Sequence, residues 1–250
     1  MQPYLLLDAG GTILFPDFAL VRRLLLPHGV DADEERIRRV ATEWTWRLDE
    51  SLKHQSDKSS LLGFLQDVLA RVGAPQQSIP ALVAQLQSMD AEKSLWTSTF
   101  PWVRRALERL RHQGFRISVI SNADGRVRQQ LEELGLIQYV EEVFDSHIVG
   151  YEKPDARLFQ HALNTLGLQR AQCLYVGDVY HIDVLGANRA GIAAVHLDAY
   201  DLYWNWPGCH IRDIAALPDL LTSSGLDLSS ELFFPLLSAP LTLSQEPAKS

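Results

Sequence analysis

The residues of this chain best suited to chemistry are Asp8, Ser121 with Asn122, Lys153, Asp178 and Asp183. Tyr4-Leu5-Leu6-Leu7 runs into Asp8-Ala9-Gly10-Gly11-Thr12. Phe115 to Ile120 runs into Ser121-Asn122. Cys173 to Val176 runs into Gly177-Asp178, with Asp183 five residues on. Lys153 sits in Gly-Tyr-Glu-Lys-Pro, just ahead of a helical stretch from Ala156. In an open parallel sheet, ligands bind outside the carboxyl ends of the strands. If the apolar runs are strands of one sheet, chain order brings a carboxylate, a hydroxyl with an amide, an amine and two more carboxylates to one edge. Crowded carboxylates raise one another's pKa unless a cation compensates. A hard divalent ion with oxygen ligands is the natural answer, and Mg²⁺ suits a site completed by water and a substrate phosphate. The plainer alternatives are three unrelated surface or capping aspartates, a Ser121 hydroxyl capping the helix near Arg126, and a solvated surface lysine at Lys153.

The elements that must position these residues are legible in the pattern. Tyr4 to Leu7 is continuously apolar, as in a strand buried on both faces. From about Asp17 to Trp96 the character turns helical. Ile37, Val40, Trp44, Leu48 and Leu52 recur near helical spacing. Further helices are predicted over 57–72, with Gly73 as the stop, and over 79–89. After Pro101 the spacing predicts helices over 103–112, 126–134, 156–166, 183–190 and 211–221. Strands are predicted over 115–120, 173–176 and 192–197, with a short one at Val143-Phe144. This alternation implies an α/β, doubly wound, Rossmann-like parallel-sheet core. The expected organisation is a core of residues 1–15 and 97–222, a helical insert of 16–96, and a poorly ordered C-terminal tail of 223–250. In that tail Glu231 to Leu237 (ELFFPLL) is apolar enough to dock on the body. Trp44, Trp46 and the aromatic run Tyr200 to Pro207 are expected to pack within the molecule.

Composition narrows the function. The 250 residues are 46% hydrophobic and 22% charged, ordinary for a globular protein. The net charge is −8, which argues against nucleic acid or an anionic membrane as partner. Two cysteines, Cys173 and Cys209, lie in no metal-type spacing, and reduced thiols in a cytoplasmic protein are expected. No signal-peptide pattern and no 18-residue apolar stretch is seen. Oligomeric state is not legible.

The order of motifs resembles the haloacid dehalogenase superfamily. Its strand-end Asp and Gly-Thr turn correspond to Asp8-Ala9-Gly10-Gly11-Thr12, and its strand-end Ser or Thr to Ser121. Its Lys before a helix corresponds to Lys153-Pro154, and its acidic motif to Gly177-Asp178 with Asp183. The resemblance covers about residues 1–200 and makes the helical insert the family's α-helical cap. It implies a Mg²⁺-dependent hydrolase of a small phosphorylated metabolite, with Asp8 as nucleophile and an aspartyl-phosphate intermediate. It further implies Mg²⁺ ligation by Asp8, the Gly10 carbonyl and Asp178, with Asp183 behind them. Ser121 and the Asn122 or Ala123 amides would bind phosphoryl oxygens, as would Thr12 and the Gly10-Gly11 turn. Lys153 would offset charge.

One position departs from the family's phosphatases. Their second residue after the nucleophile is also Asp and serves as acid and base; here it is Gly10. Such assistance is worth about 10²- to 10⁴-fold, most for poor leaving groups. His181, His54, Lys53 or Lys58 could supply the proton instead. Phosphonatase-like chemistry would need Lys53 or Lys58 to form a Schiff base. Dehalogenases also lack the second Asp but use no metal. A weak enzyme, or a non-catalytic domain that binds a phosphorylated ligand or a protein, is the remaining alternative.

Overall fold

The computed structural model describes residues 3–53, 60–223 and 227–235. Among these, six strands form one parallel sheet in the order β3-β2-β1-β4-β5-β6. They are β1 (Tyr4–Leu7), β2 (Ile117–Ser121), β3 (Val143–Asp145), β4 (Cys173–Gly177), β5 (Ala193–Leu197) and β6 (Cys209–Ile211). Every residue of β1, β2, β4 and β5 is buried, because helices cover both faces of a parallel sheet. β1 lies at the centre, with Leu6 opposite both Ser118 and Tyr175. The strand order reverses between β1 and β4, which makes the gap above them the expected ligand crevice.

Four helices leave the sheet after β1. They are α1 (Phe18–Leu25), α2 (Glu34–Leu52), α3 (Leu61–Val72) and α4 (Ile79–Glu92). Side-chain caps start the first three: Asp17 accepts from Leu20 N, Asp33 from Arg36 N, and Ser60 from Gly63 N. Gly73, at φ 102°, ends α3, a left-handed position that glycine tolerates best. The two ends of this insert meet at Phe15 and Ser98, whose amides bond each other's carbonyls at 2.8 and 3.0 Å. The sequence reading did not single out α1, and its proposed start of α3 at 57–59 lies outside the described residues.

The rest alternates as the pattern implies. It contains α5 (Pro101–His112), α6 (Val127–Glu133), α7 (Ser146–Val149), α8 (Ala156–Leu166), α9 (Leu185–Arg189) and α10 (Leu217–Thr222). Two details differ. The segment expected as a helix over 183–190 opens as a wider π-type turn, Tyr180–Val184, before α9. The stretch expected as a helix from Ile211 instead begins as the end of β6, which pairs parallel with β5; α10 starts six residues later. Phe233 is buried in the core, and its carbonyl accepts from Asn188 Nδ2 at 2.9 Å. The described part of Glu231 to Leu237 is therefore docked, while residues 236–250 lie outside the described residues. No described helix is long and apolar enough to cross a membrane.

Candidate active site

Asp8 follows β1 directly, and its amide donates to Val176 O of β4 at 2.8 Å. Ser121 is the last residue of β2, and Asp178 follows β4. Since β2, β1 and β4 are neighbours, these residues emerge side by side. Lys153 comes from the loop before α8. The Asn122 side chain ties that loop to the sheet, with Nδ2 donating to Lys153 O at 2.8 Å and Oδ1 accepting from Lys153 N at 2.7 Å.

The Lys153 ammonium is buried, at 4% exposure, which a surface lysine would not be. Its Nζ donates to Asp8 Oδ1 at 2.6 Å, Asp183 Oδ1 at 2.7 Å and the Tyr175 hydroxyl at 2.9 Å. Burial alone would pull this amine down, but the Asp183 and Asp8 carboxylates outweigh it and hold it above its ordinary value. Asp183 is fully buried; Tyr175 Oη lies 3.0 Å from its Oδ1, and Oδ2 accepts from Val179 N at 2.9 Å. Asp178 is different, because its Oδ1 is buried without a hydrogen-bond partner. Burial, then Asp8 and Asp183, push the Asp178 carboxyl well up. Burial likewise pushes Asp8 up to about 6, against the pull of Lys153.

One oxygen from each of Asp8, Asp178 and Asp183 lies within 4.8 Å of the others. A bare pair of carboxylates with an orphaned oxygen is a poor end state for a buried site. A divalent cation fits it, with hard oxygen donors and room for water. Asp8, Asp178 and the Gly10 carbonyl, which accepts no hydrogen bond from a described residue, could hold it. Asp183, with both oxygens occupied, stands behind them. The backbone leaves little slack here. Gly11 is at φ 74°, and a Cβ on it would run into the Asp178 carboxylate.

A cavity of about 480 Å³ opens over these groups, lined by Asp8, Thr12, Ser121, Lys153 and Asp178 below and by Trp44, Phe64 and Trp96 of the helical insert. Ser121 caps no helix, since α6 has no side-chain cap. Thr12 Oγ1 is buried without a partner. Two of the three amides in the Gly10-Gly11-Thr12 turn are used within it. Gly11 N donates to Leu14 O and Thr12 N to Ala9 O, because the turn closes on itself. The Asn122 side chain holds the Lys153 backbone, and Asn122 lines the cavity.

Three contributors escaped the sequence reading. Tyr175 sits inside an apolar strand and reads as core. Trp96 reads as the end of the insert. Asp49, on α2, is fully buried and accepts from Tyr180 N, His181 N, His181 Nδ1 and the Tyr203 hydroxyl at 2.7 to 2.9 Å. It locks the helical insert to the loop that follows Asp178. His181 is thus engaged with Asp49 and does not line the cavity. Lys53 bonds Glu50 and lies 3.7 Å over the Trp206 ring, also away from the cavity. His54 and Lys58 lie outside the described residues. His196 Nε2 is 3.0 Å from the Asp178 carbonyl oxygen; burial and neighbouring His210 push it down to about 4, so it donates as a neutral ring.

Comparison with known proteins agrees with this topology. The sequence profile of the haloacid dehalogenase-like hydrolases matches residues 38–197. A glyceraldehyde 3-phosphate phosphatase of Methanopyrus kandleri is 33% identical over 52% of this chain and 56% of its own. A plasmid-encoded phosphoglycolate phosphatase of Cupriavidus necator is 38% identical over 52% of this chain and 58% of its own. The chain spans about half the length of the curated relatives it matches. A putative hydrolase of the same superfamily, YfnB of Bacillus subtilis, solved bound to magnesium, superposes with a TM-score of 0.59 at 19% identity. That superposition covers 89% of this chain and all of the other. With the profile match spanning well over half of the residues, the chain belongs to the haloacid dehalogenase-like hydrolases.

Proposed function

We propose that this chain is a Mg²⁺-dependent phosphatase of a small phosphorylated metabolite, working through an aspartyl-phosphate on Asp8. The observation that carries this reading is the buried Lys153 ammonium held between Asp8 and Asp183, beneath an open cavity and beside an unpartnered Asp178 oxygen. The names of the Methanopyrus and Cupriavidus relatives support a small phosphorylated substrate.

With Oδ1 of Asp8 held by Lys153, Oδ2 is left to attack phosphorus. An Oδ2–P bond forms and the bond from phosphorus to the leaving oxygen breaks. Lys153 offsets the charge that phosphoryl oxygens bring to the carboxylate. Ser121 and Thr12 would donate their hydroxyls to those oxygens. Asp8, the Gly10 carbonyl and Asp178 would hold Mg²⁺. When bound, it supplies positive charge against the phosphoryl oxygens. Water then attacks phosphorus, and the carboxylate and inorganic phosphate separate. In this reading residues 1–15 and 97–222 are the catalytic core and 16–96 the cap that closes the cavity. A cytoplasmic location belongs to it as well, and Cys173 and Cys209 are both free, buried thiols.

Turnover of p-nitrophenyl phosphate and acetyl phosphate, with and without Mg²⁺, tests the reading. Wild type should turn both over only with Mg²⁺, and Asp8→Asn should lose at least about 10³-fold in kcat. Phosphate binding without Asp8-dependent turnover would replace the phosphatase with a non-catalytic binding domain.

A further inference from the structure

Gly10 stands where the family's phosphatases carry their acid, and its backbone does not demand glycine. Unlike Gly11 it is not in the left-handed region. What opposes a side chain there is Trp96. A Cβ on Gly10 would lie 3.3 Å from the indole Nε1 and 3.7 Å from Cδ1. The acid's place is thus bordered closely by an indole edge that carries an N–H.

That indole is held in position. Its amide donates to Ser94 Oγ at 3.1 Å, and the preceding Leu95 is buried, with its amide on Asp90 Oδ1 at 2.8 Å. Two residues on, Ser98 bridges to Phe15. The Trp96 ring packs on Phe64 at 5.9 Å between centroids, and Phe64 meets Trp44 edge-on at 5.1 Å. All three rings line the cavity. The Trp96 Nε1–H has no hydrogen-bond partner among the described residues.

An indole N–H donates a hydrogen bond but gives up no proton at physiological pH. It can steady a leaving oxygen but cannot protonate it. Alkoxides leave badly under those terms, whereas phenolates, with a conjugate acid near pKa 10, leave without help. An aryl leaving group also has a flat apolar body to set against the three rings, each such contact worth roughly 2- to 12-fold.

Resting on the aspartyl-phosphate reading above, we propose that Trp96 stands in for the absent acid as a hydrogen-bond donor to the leaving oxygen. With Phe64 and Trp44 it makes the site selective for phosphate monoesters of planar aromatic alcohols. The step balances without an acid. The Asp8 Oδ2–P bond forms, the P–O(aryl) bond breaks with its electron pair on the aryl oxygen, and the phenolate takes its proton from solvent after departure. Water then cleaves the aspartyl-phosphate.

The test is kcat/KM with Mg²⁺ for substituted phenyl phosphates, 2-naphthyl phosphate, acetyl phosphate and glycerol 3-phosphate. Wild type should show a steep fall with rising leaving-group pKa, and at least about 10²-fold preference for naphthyl over glycerol phosphate. Trp96→Phe keeps a ring and loses the N–H. It should lower kcat on aryl phosphates roughly 10- to 100-fold with little change in KM. Gly10→Asp alone should gain less than the double variant, since the indole must give by a few tenths of an ångström to admit it. Gly10→Asp with Trp96→Ala should flatten the leaving-group dependence and raise alkyl phosphate turnover. Equal wild-type rates on aryl and alkyl phosphates, or unchanged kcat in Trp96→Phe, overturn the proposal. If Asp8-dependent acetyl phosphate turnover persists beside either result, the parent phosphatase reading stands. No Asp8-dependent turnover of any substrate overturns both.

Discussion

Lys153 Nζ has three N–H bonds and three partners, Asp8, Asp183 and Tyr175. One buried cation therefore faces three carboxylates, counting Asp178, and the site carries excess negative charge. Its pH behaviour follows. Asp8 is raised by burial from the ordinary 3.8 to about 6. A carboxyl raised in the folded state contributes most below its unfolded value, and that contribution is lost as pH rises through the folded one. Metal-free protein should thus lose stability between about pH 4 and 6 from this group. A divalent cation relieves the same repulsion, and must displace protons at the acid end. Saturating Mg²⁺ should therefore raise the Tm more at pH 7.5 than at pH 5, by an amount corresponding to about 2–3 kcal/mol at a hundredfold excess over Kd. Differential scanning calorimetry at the two pH values, with and without EDTA, checks this. A larger shift at pH 5 would contradict the assignment of the cation to Asp8 and Asp178.

At the scale of elements, α2 and the loop after β4 share one buried carboxylate. Asp49 accepts two backbone amides, an imidazole and a phenol. Asp49→Asn puts an amide donor against those donors and should cost about 3 kcal/mol in urea unfolding. Because the loop begins at Asp178, the same variant should weaken Mg²⁺ binding in calorimetric titration. A stability loss with unchanged Mg²⁺ affinity would make Asp49 a packing residue only. Asp49 also marks where the sequence stops being legible. Asp8, Ser121 and Asp178 stand next to apolar runs, so strand ends locate them. Lys153 precedes a clear helix. Asp49 sits among charged residues of an amphipathic helix, and only the phase of α2 against the core buries it. Tyr175 needs the strand register, and Trp96 needs the path of the insert's return. β6 was missed because three residues at a sheet edge carry too short a pattern. The sequence reading began a regular helix at Asp183, and Asp183 and Val184 instead close the π-type turn Tyr180–Val184.

Across the whole molecule, the described residues 231–235 pack onto β5 and the core cluster through Phe233. Phe233 is 1% exposed, and its carbonyl accepts from buried Asn188. Phe233→Ala should cost about 3–5 kcal/mol, read as a lower urea midpoint with an unchanged slope. A cost below about 1 kcal/mol would mean that the segment rests on the body without being part of its core. The helical insert rejoins the core at the Phe15–Ser98 bridge and is tied to it again by Asp49, by Arg126 on Asp90 and by Tyr200 on Glu35.

The pairing of Asp8 with Lys153 spans 145 residues of chain. On a ribosome adding about 5–20 residues per second, Asp8 emerges roughly 7–30 s before Lys153. Until Lys153 and Asp183 follow, Asp8 has β2 beside its strand but lacks the ammonium that pairs with it. A chain that ends before Lys153 would therefore leave the Asp8 carboxylate without its ammonium partner.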